Sequence, residues 1–95
     1  METKIERPVV VCVDDDPAVL AALRRSLRSE PFELLTTQSP EEALRWVNTR
    51  RIDLVLSDQR MPERLGTELL HDVRRCSPRT SRVILTAYPT GTAGI

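Results

Sequence analysis

Asp58 ends an apolar run, Ile52-Asp53-Leu54-Val55-Leu56-Ser57-Asp58, and is followed by Gln59-Arg60-Met61-Pro62. A second run, Val9-Val10-Val11-Cys12-Val13, stops at Asp14-Asp15-Asp16-Pro17. Parallel strands that both end in carboxylates bring those acids together at one end of a sheet. Adjacent carboxylates repel each other and cost stability unless a cation intervenes. A structural loop would use Gly, Asn or Ser more cheaply, so Asp14 and Asp15 read as metal ligands and Asp58 as a functional group beside them. Mg²⁺ suits such a site, because it takes oxygen ligands in near-octahedral geometry and keeps several waters. Two or three carboxylates plus a backbone carbonyl leave positions open for water and phosphoryl oxygens. A carboxylate is also a competent nucleophile for phosphorus, as in aspartyl-phosphate intermediates. The metal then screens nucleophile from donor and stabilises charge in the transition state. Asp16, directly before Pro17, reads instead as a helix N-cap. Thr86 ends a later strand, where its hydroxyl could reach a phosphoryl oxygen, and small Ala87 leaves room for the donor.

The elements that must position these residues follow from periodicity and punctuation. Val9 to Val13 is a short, β-branched, uninterrupted strand of the buried kind. Leu20, Leu23 and Leu27 recur at helical spacing, with Arg24, Arg25 and Arg28 on the other side; Pro31 ends that helix near Ser29 or Glu30. Phe32 to Thr36 is the second strand. Ser39-Pro40-Glu41-Glu42 is a capping box with Pro at the first helical position, and Ala43, Leu44 and Val47 give the helix its apolar face. Ile52 to Ser57 is the third strand, with Asp53 at its wet entry end. Leu65, Leu69, Val73 and Cys76 mark a third helix that Ser77-Pro78 closes. Val83-Ile84-Leu85 is a fourth strand, followed by Thr86-Ala87-Tyr88-Pro89 and a small, polar tail. This β-α-β-α-β-α-β order predicts an α/β fold with a parallel sheet and helices on both faces. Right-handed crossovers restrict the topology, and ligands in such sheets bind beyond the carboxyl ends of the strands. Asp14, Asp15, Asp58 and Thr86 all fall at that end.

Ninety-five residues bound one small domain. Fourteen basic and 14 acidic residues cancel, and no basic stripe marks a nucleic-acid footprint, so no direct nucleic-acid binding is expected of this segment. Cys12 and Cys76 match no metal spacing and read as buried, reduced thiols. No apolar stretch is long enough to span a membrane, and the N-terminus has no signal-peptide core, which makes the cytoplasm the default. His71, the single histidine, lacks a partner at ligand spacing and reads as a helix-surface residue.

Val13-Asp14-Asp15-Asp16-Pro17, Ser57-Asp58-Gln59-Arg60-Met61-Pro62, Gly66 followed by Glu68-Leu69-Leu70, and Ile84-Leu85-Thr86-Ala87-Tyr88 together resemble a bacterial two-component response-regulator receiver domain of the chemotaxis-regulator kind. The resemblance implies a flavodoxin-like doubly wound sheet, here four strands in the order 2-1-3-4 with three helices and the start of a fourth. It implies that Asp58 is the phosphoacceptor, fed by a histidine kinase, and that the protein signals rather than turns over a substrate. Asp14, Asp15, Asp58 and the backbone carbonyl of Arg60 would hold Mg²⁺, with Asp15 a direct ligand. Thr86 and Tyr88 would be the switch pair that changes the surface read by an output domain or downstream protein. Residues 1–95 then form a single receiver domain without the usual fourth helix, fifth strand and fifth helix. The fifth-strand lysine has no counterpart, since Lys4, the only lysine, precedes the first strand. An exposed fourth-strand edge carrying Val83, Ile84 and Leu85 predicts a homodimer or a strand-swapped oligomer.

Two other readings compete. A degenerate receiver-like interaction module would keep the fold and the metal pocket without accepting phosphate. A haloacid-dehalogenase-type phosphohydrolase also uses an aspartyl nucleophile, but it needs a cap and a later lysine, for which this chain has no room.

Overall fold

The computed structural model describes residues 6–85. Four strands, β1 (Val9–Val13), β2 (Glu33–Thr37), β3 (Leu54–Ser57) and β4 (Ser81–Ile84), alternate with three helices, α1 (Pro17–Ser26), α2 (Pro40–Thr49) and α3 (Gly66–Cys76). All pairings are parallel, and the sheet order is β2-β1-β3-β4. β1 is central and buried along its whole length. Its side chains alternate between the two faces. Val9, Val11 and Val13 pack with Ala43 and Val47 of α2 and Leu69, Leu70 and Val73 of α3. Val10 and Cys12 pack with Leu20 and Leu23 of α1, alongside Leu34, Leu54 and Leu56. One run of five apolar residues thus serves two cores, which is why it lacks the polar alternation of a half-exposed strand. A Val or Leu side chain contributes roughly 1.5–3 kcal/mol when fully buried, as Val11, Val13, Leu69 and Val73 are.

The helix starts follow the punctuation. Asp16 caps α1, its Oδ1 accepting from Ala18 N at 2.9 Å. Ser39 caps α2, its Oγ accepting from Glu42 N at 3.1 Å. The expected capping box is only half formed. The Glu42 carboxylate accepts from the buried Thr37 hydroxyl instead, and Thr37 Oγ1 takes the Ser39 N–H at 3.0 Å.

Several boundaries move. α1 stops at Ser26, because Leu27 leaves helical geometry and its carbonyl accepts from Glu30 N in a turn. Proline therefore sets the limit of this helix but not its end. β3 begins at Leu54, with Ile52 buried before it and Asp53 bonded at the rim, where its Oδ2 accepts from Val9 N at 2.8 Å. β4 begins at Ser81, two residues earlier than its apolar core suggests, and Leu85 N continues the ladder to Ser57 O. Thr80 anchors that entry from a buried position by donating to Ile52 O at 2.7 Å. The fourth-helix start expected near Ile95 lies outside the described residues.

Candidate functional site

β1 and β3 lie side by side with Val13 opposite Ser57. The next residue on each strand is the acid. Asp58 N donates to Val13 O at 2.9 Å, while Asp14 N donates to Thr37 O on the other flank. Asp14 and Asp58 are half-buried and Asp15 is exposed. Each offers one carboxylate oxygen, and these atoms all lie within 4.8 Å of one another. The three acids that the sequence singled out are therefore brought together.

Burial pushes the Asp14 carboxyl above its ordinary range. The backbone N–H of Asp16, donating to Asp14 Oδ1 at 2.9 Å, opposes that shift, and repulsion from Asp58, Asp15 and Asp16 adds to it. The donor set is all hard oxygen, with no thiolate or imidazole, and it carries concentrated negative charge. Both properties fit Mg²⁺.

The sign of the pH effect follows. A carboxyl whose pKa is higher folded than unfolded leaves the folded state holding more protons, so stability falls as pH rises through that interval. Without metal, Asp14 should therefore destabilise the fold at neutral pH, and the cost should disappear on acidification toward the ordinary aspartate range. Urea unfolding in chelator should show this slope in the parent and a flatter one in Asp14→Asn. The opposite contribution comes from Asp72. The Arg64 guanidinium, 2.6 Å away, holds its carboxyl below the ordinary range, so that contribution is lost only in stronger acid.

The segment between β3 and α3 is tied down at several points. Ser57 Oγ donates to Asp58 O at 2.9 Å. Arg60 and Leu65 form an isolated antiparallel bridge. Gly66 N donates to Gln59 O at 2.9 Å, and Thr67 N donates to Gln59 Oε1 at 2.9 Å. Arg64 holds the same segment to α3 through Asp72. Beside the acids a small cleft of about 120 Å³ opens, lined by Asp15, Gln38, Pro40, Met61, Pro62 and Glu63.

Thr86, Ala87, Tyr88 and Lys4 lie outside the described residues. Of the two thiols, Cys12 is buried, and burial pushes it up to about 11, which leaves it unreactive at neutral pH. Cys76 is exposed, contrary to expectation: it shares the helical phase of Leu69 and Val73, but it is the last residue of α3. His71 is exposed as expected. Sequence reasoning passed over the side chain of Gln59, and the signal it had available was a missing one. Arg64-Leu65-Gly66 offers no Ser, Thr, Asp or Asn to cap the helix that follows.

Comparison with known proteins agrees with this geometry. The family model described as response regulator receiver domain matches residues 10–93. Transcriptional regulatory protein GlrR of Escherichia coli (strain K12) is 39% identical over 79 residues, covering 83% of this chain and 18% of that protein. The signal receiver domain of an HD domain-containing protein from Pseudomonas fluorescens Pf-5 superposes with a TM-score of 0.85 at 30% identity, covering 95% of this chain and 66% of that one. A CheY-like response regulator receiver domain protein from Methanospirillum hungatei JF-1 gives 0.83 at 26% identity, covering 94% and 71%. The chain spans under a fifth of the length of the curated regulator it matches. No described helix is long and apolar enough to cross a membrane.

Proposed function

This chain belongs to the response-regulator receiver domain family, and from that premise we propose that Asp58 accepts a phosphoryl group from a partner histidine kinase in a Mg²⁺-dependent reaction. The observation that carries the proposal is the convergence of Asp14, Asp15 and Asp58 within 4.8 Å at the carboxyl ends of β1 and β3. Asp14, Asp15, Asp58 and the Arg60 carbonyl are the proposed metal ligands. Bound Mg²⁺ supplies positive charge against the carboxylates and the incoming phosphoryl oxygens. A carboxylate oxygen of Asp58 forms the new bond to phosphorus. The bond from phosphorus to the donor imidazole nitrogen breaks, and its electron pair leaves with the imidazole. The cleft at Gln38, Met61 and Glu63 lies beside the acids and gives the donor an approach. Ala87 is assigned to donor access, and Thr86 and Tyr88 to the switch that biases two surface states for an output domain or downstream protein. Signalling of this kind, with both thiols unpaired, suits the cytoplasm.

The test is incubation of the 95-residue chain with a small-molecule phosphodonor and Mg²⁺, followed by intact mass and mapping of the adduct. One phosphoryl adduct on Asp58, absent with chelator, is expected. Mg²⁺ binding without any adduct would instead identify a receiver-like interaction module that has lost phosphotransfer. Among the described residues β4 pairs only with β3, and Val83 and Leu85 are 43% and 46% exposed. Such an edge is a template for a second strand, so this 95-residue chain is expected to self-associate there. Light scattering after size exclusion checks it, and a stable monomer at micromolar concentration would overturn it.

A further inference from the structure

The residue after the proposed phosphoacceptor has a side chain that no part of the phosphoryl chemistry uses, yet it makes two contacts. A helix leaves its first N–H groups without intrahelical partners. In α3 the N-cap position is Leu65, whose side chain has no acceptor. The first two N–H groups of the helix are satisfied by one residue from outside it. Gly66 N donates to the Gln59 carbonyl, and Thr67 N donates to Gln59 Oε1, both at 2.9 Å. Gln59 Nε2 in turn donates to Thr67 Oγ1 at 3.3 Å. Glu68 Oε1 accepts from Leu65 N at 3.0 Å and completes the closure. The cap of α3 is thus supplied from the residue between Asp58 and Arg60.

We propose that Gln59 is a positioning residue for the metal site: its side-chain amide clamps the segment bearing Asp58 and the Arg60 carbonyl onto the N-terminus of α3. This inference rests on the metal site proposed above. Both flanking residues are proposed ligands, so the backbone joining them has little freedom once the carbonyl and the amide of Gln59 are both fixed to α3. An amide serves this purpose better than a carboxylate would. It accepts from Thr67 N and donates to Thr67 Oγ1 without adding a charge beside three acids. Outer groups that orient metal ligands are commonly worth about 10–100-fold in metal affinity.

The experiment compares the parent chain with Gln59→Leu, which keeps bulk and loses both hydrogen bonds, and with Thr67→Ala, which keeps the N–H to Oε1 contact. Mg²⁺ dissociation constants are measured calorimetrically at a temperature where circular dichroism shows each variant folded. Gln59→Leu is expected to weaken Mg²⁺ binding about 10-fold, whereas Thr67→Ala stays close to the parent. A cap that served only the helix would lower the melting temperature and leave the dissociation constant where it was, and that result overturns the proposal. Should Gln59→Leu fail to fold, Gln59→Asn shortens the amide by one methylene with less disturbance, and the same loss of affinity is expected of it. A parent chain that does not bind Mg²⁺ brings down the metal site itself, and the clamp with it. A parent that binds alongside an unaffected Gln59→Leu removes the clamp alone.

Discussion

Asp58→Asn should abolish the phosphoryl adduct and, in the same protein, make the metal-free fold more stable. The first effect is a loss to background, because the amide oxygen is a poor nucleophile and no other acid of the cluster ends β3. The second follows from electrostatics. Asp58 is one of the charges that lift the Asp14 carboxyl, and removing it leaves Asp14 and Asp15 with less to repel. Because these groups are partly exposed, solvent screens them, and the gain is on the order of 1 kcal/mol, the water-like limit for unit charges about 4 Å apart. For a domain of this size that corresponds to roughly 4–8 °C in melting temperature. Saturating Mg²⁺ should reverse the order, since a ligand that binds only the folded state stabilises it by RT ln(1 + [L]/Kd), and the variant has lost a carboxylate ligand. Urea unfolding of both proteins, in chelator and in Mg²⁺, checks the crossover. If Asp58→Asn proved less stable in chelator, the acids would not be repelling one another, and the case for a cation site would fail.

The repulsion behind that expectation is also what made the acid cluster stand out in the sequence. A protein that places three acids at strand ends accepts a stability cost, and that cost is visible in sequence as carboxylates where cheap turn residues would do. β1 was legible for a related reason. Its uninterrupted Val9–Val13 run fits a strand buried on both faces, and both cores do draw on it. β4 was less legible because its first two residues, Ser81 and Arg82, are polar. Their membership in the strand comes from pairing with Leu54 and Val55, which no local pattern reports. The half-formed box at Ser39 shows the same limit. Glu42 has the right spacing to reach back to Ser39, but Thr37, a buried neighbour from β2, takes its carboxylate. Gln59 was invisible for the converse reason. Its partner is eight positions away at a helix start, and only the fold brings the two into hydrogen-bonding distance.

The other large effect is expected at Gly66. A Cβ at this position would sit 2.2 Å from the carbonyl oxygen of Asp58, 3.0 Å from its carbonyl carbon and 2.9 Å from Ile84 Cδ1. The Ile84 methyl ends a flexible side chain and can turn aside. The Asp58 carbonyl cannot, because it belongs to the backbone of the β3 exit and Ser57 Oγ donates to it. Alanine normally gains about 0.5–1 kcal/mol over glycine inside a helix, but Gly66 is the first residue of α3, where little of that gain applies. Overpacking costs about 1–3 kcal/mol, occasionally more, and a backbone obstacle places Gly66→Ala at the upper end. Either α3 must retreat from the sheet, breaking the Gly66 N to Gln59 O bond, or the Asp58 carbonyl must turn and carry the proposed nucleophile with it. Both routes predict a stability loss of about 3 kcal/mol by urea unfolding together with weaker Mg²⁺ binding by whatever fraction remains folded. Gly66→Ala with the parent's midpoint and the parent's metal affinity would mean that α3 does not press against the acceptor strand, and the close approach that locks Asp58 in place would have to be abandoned.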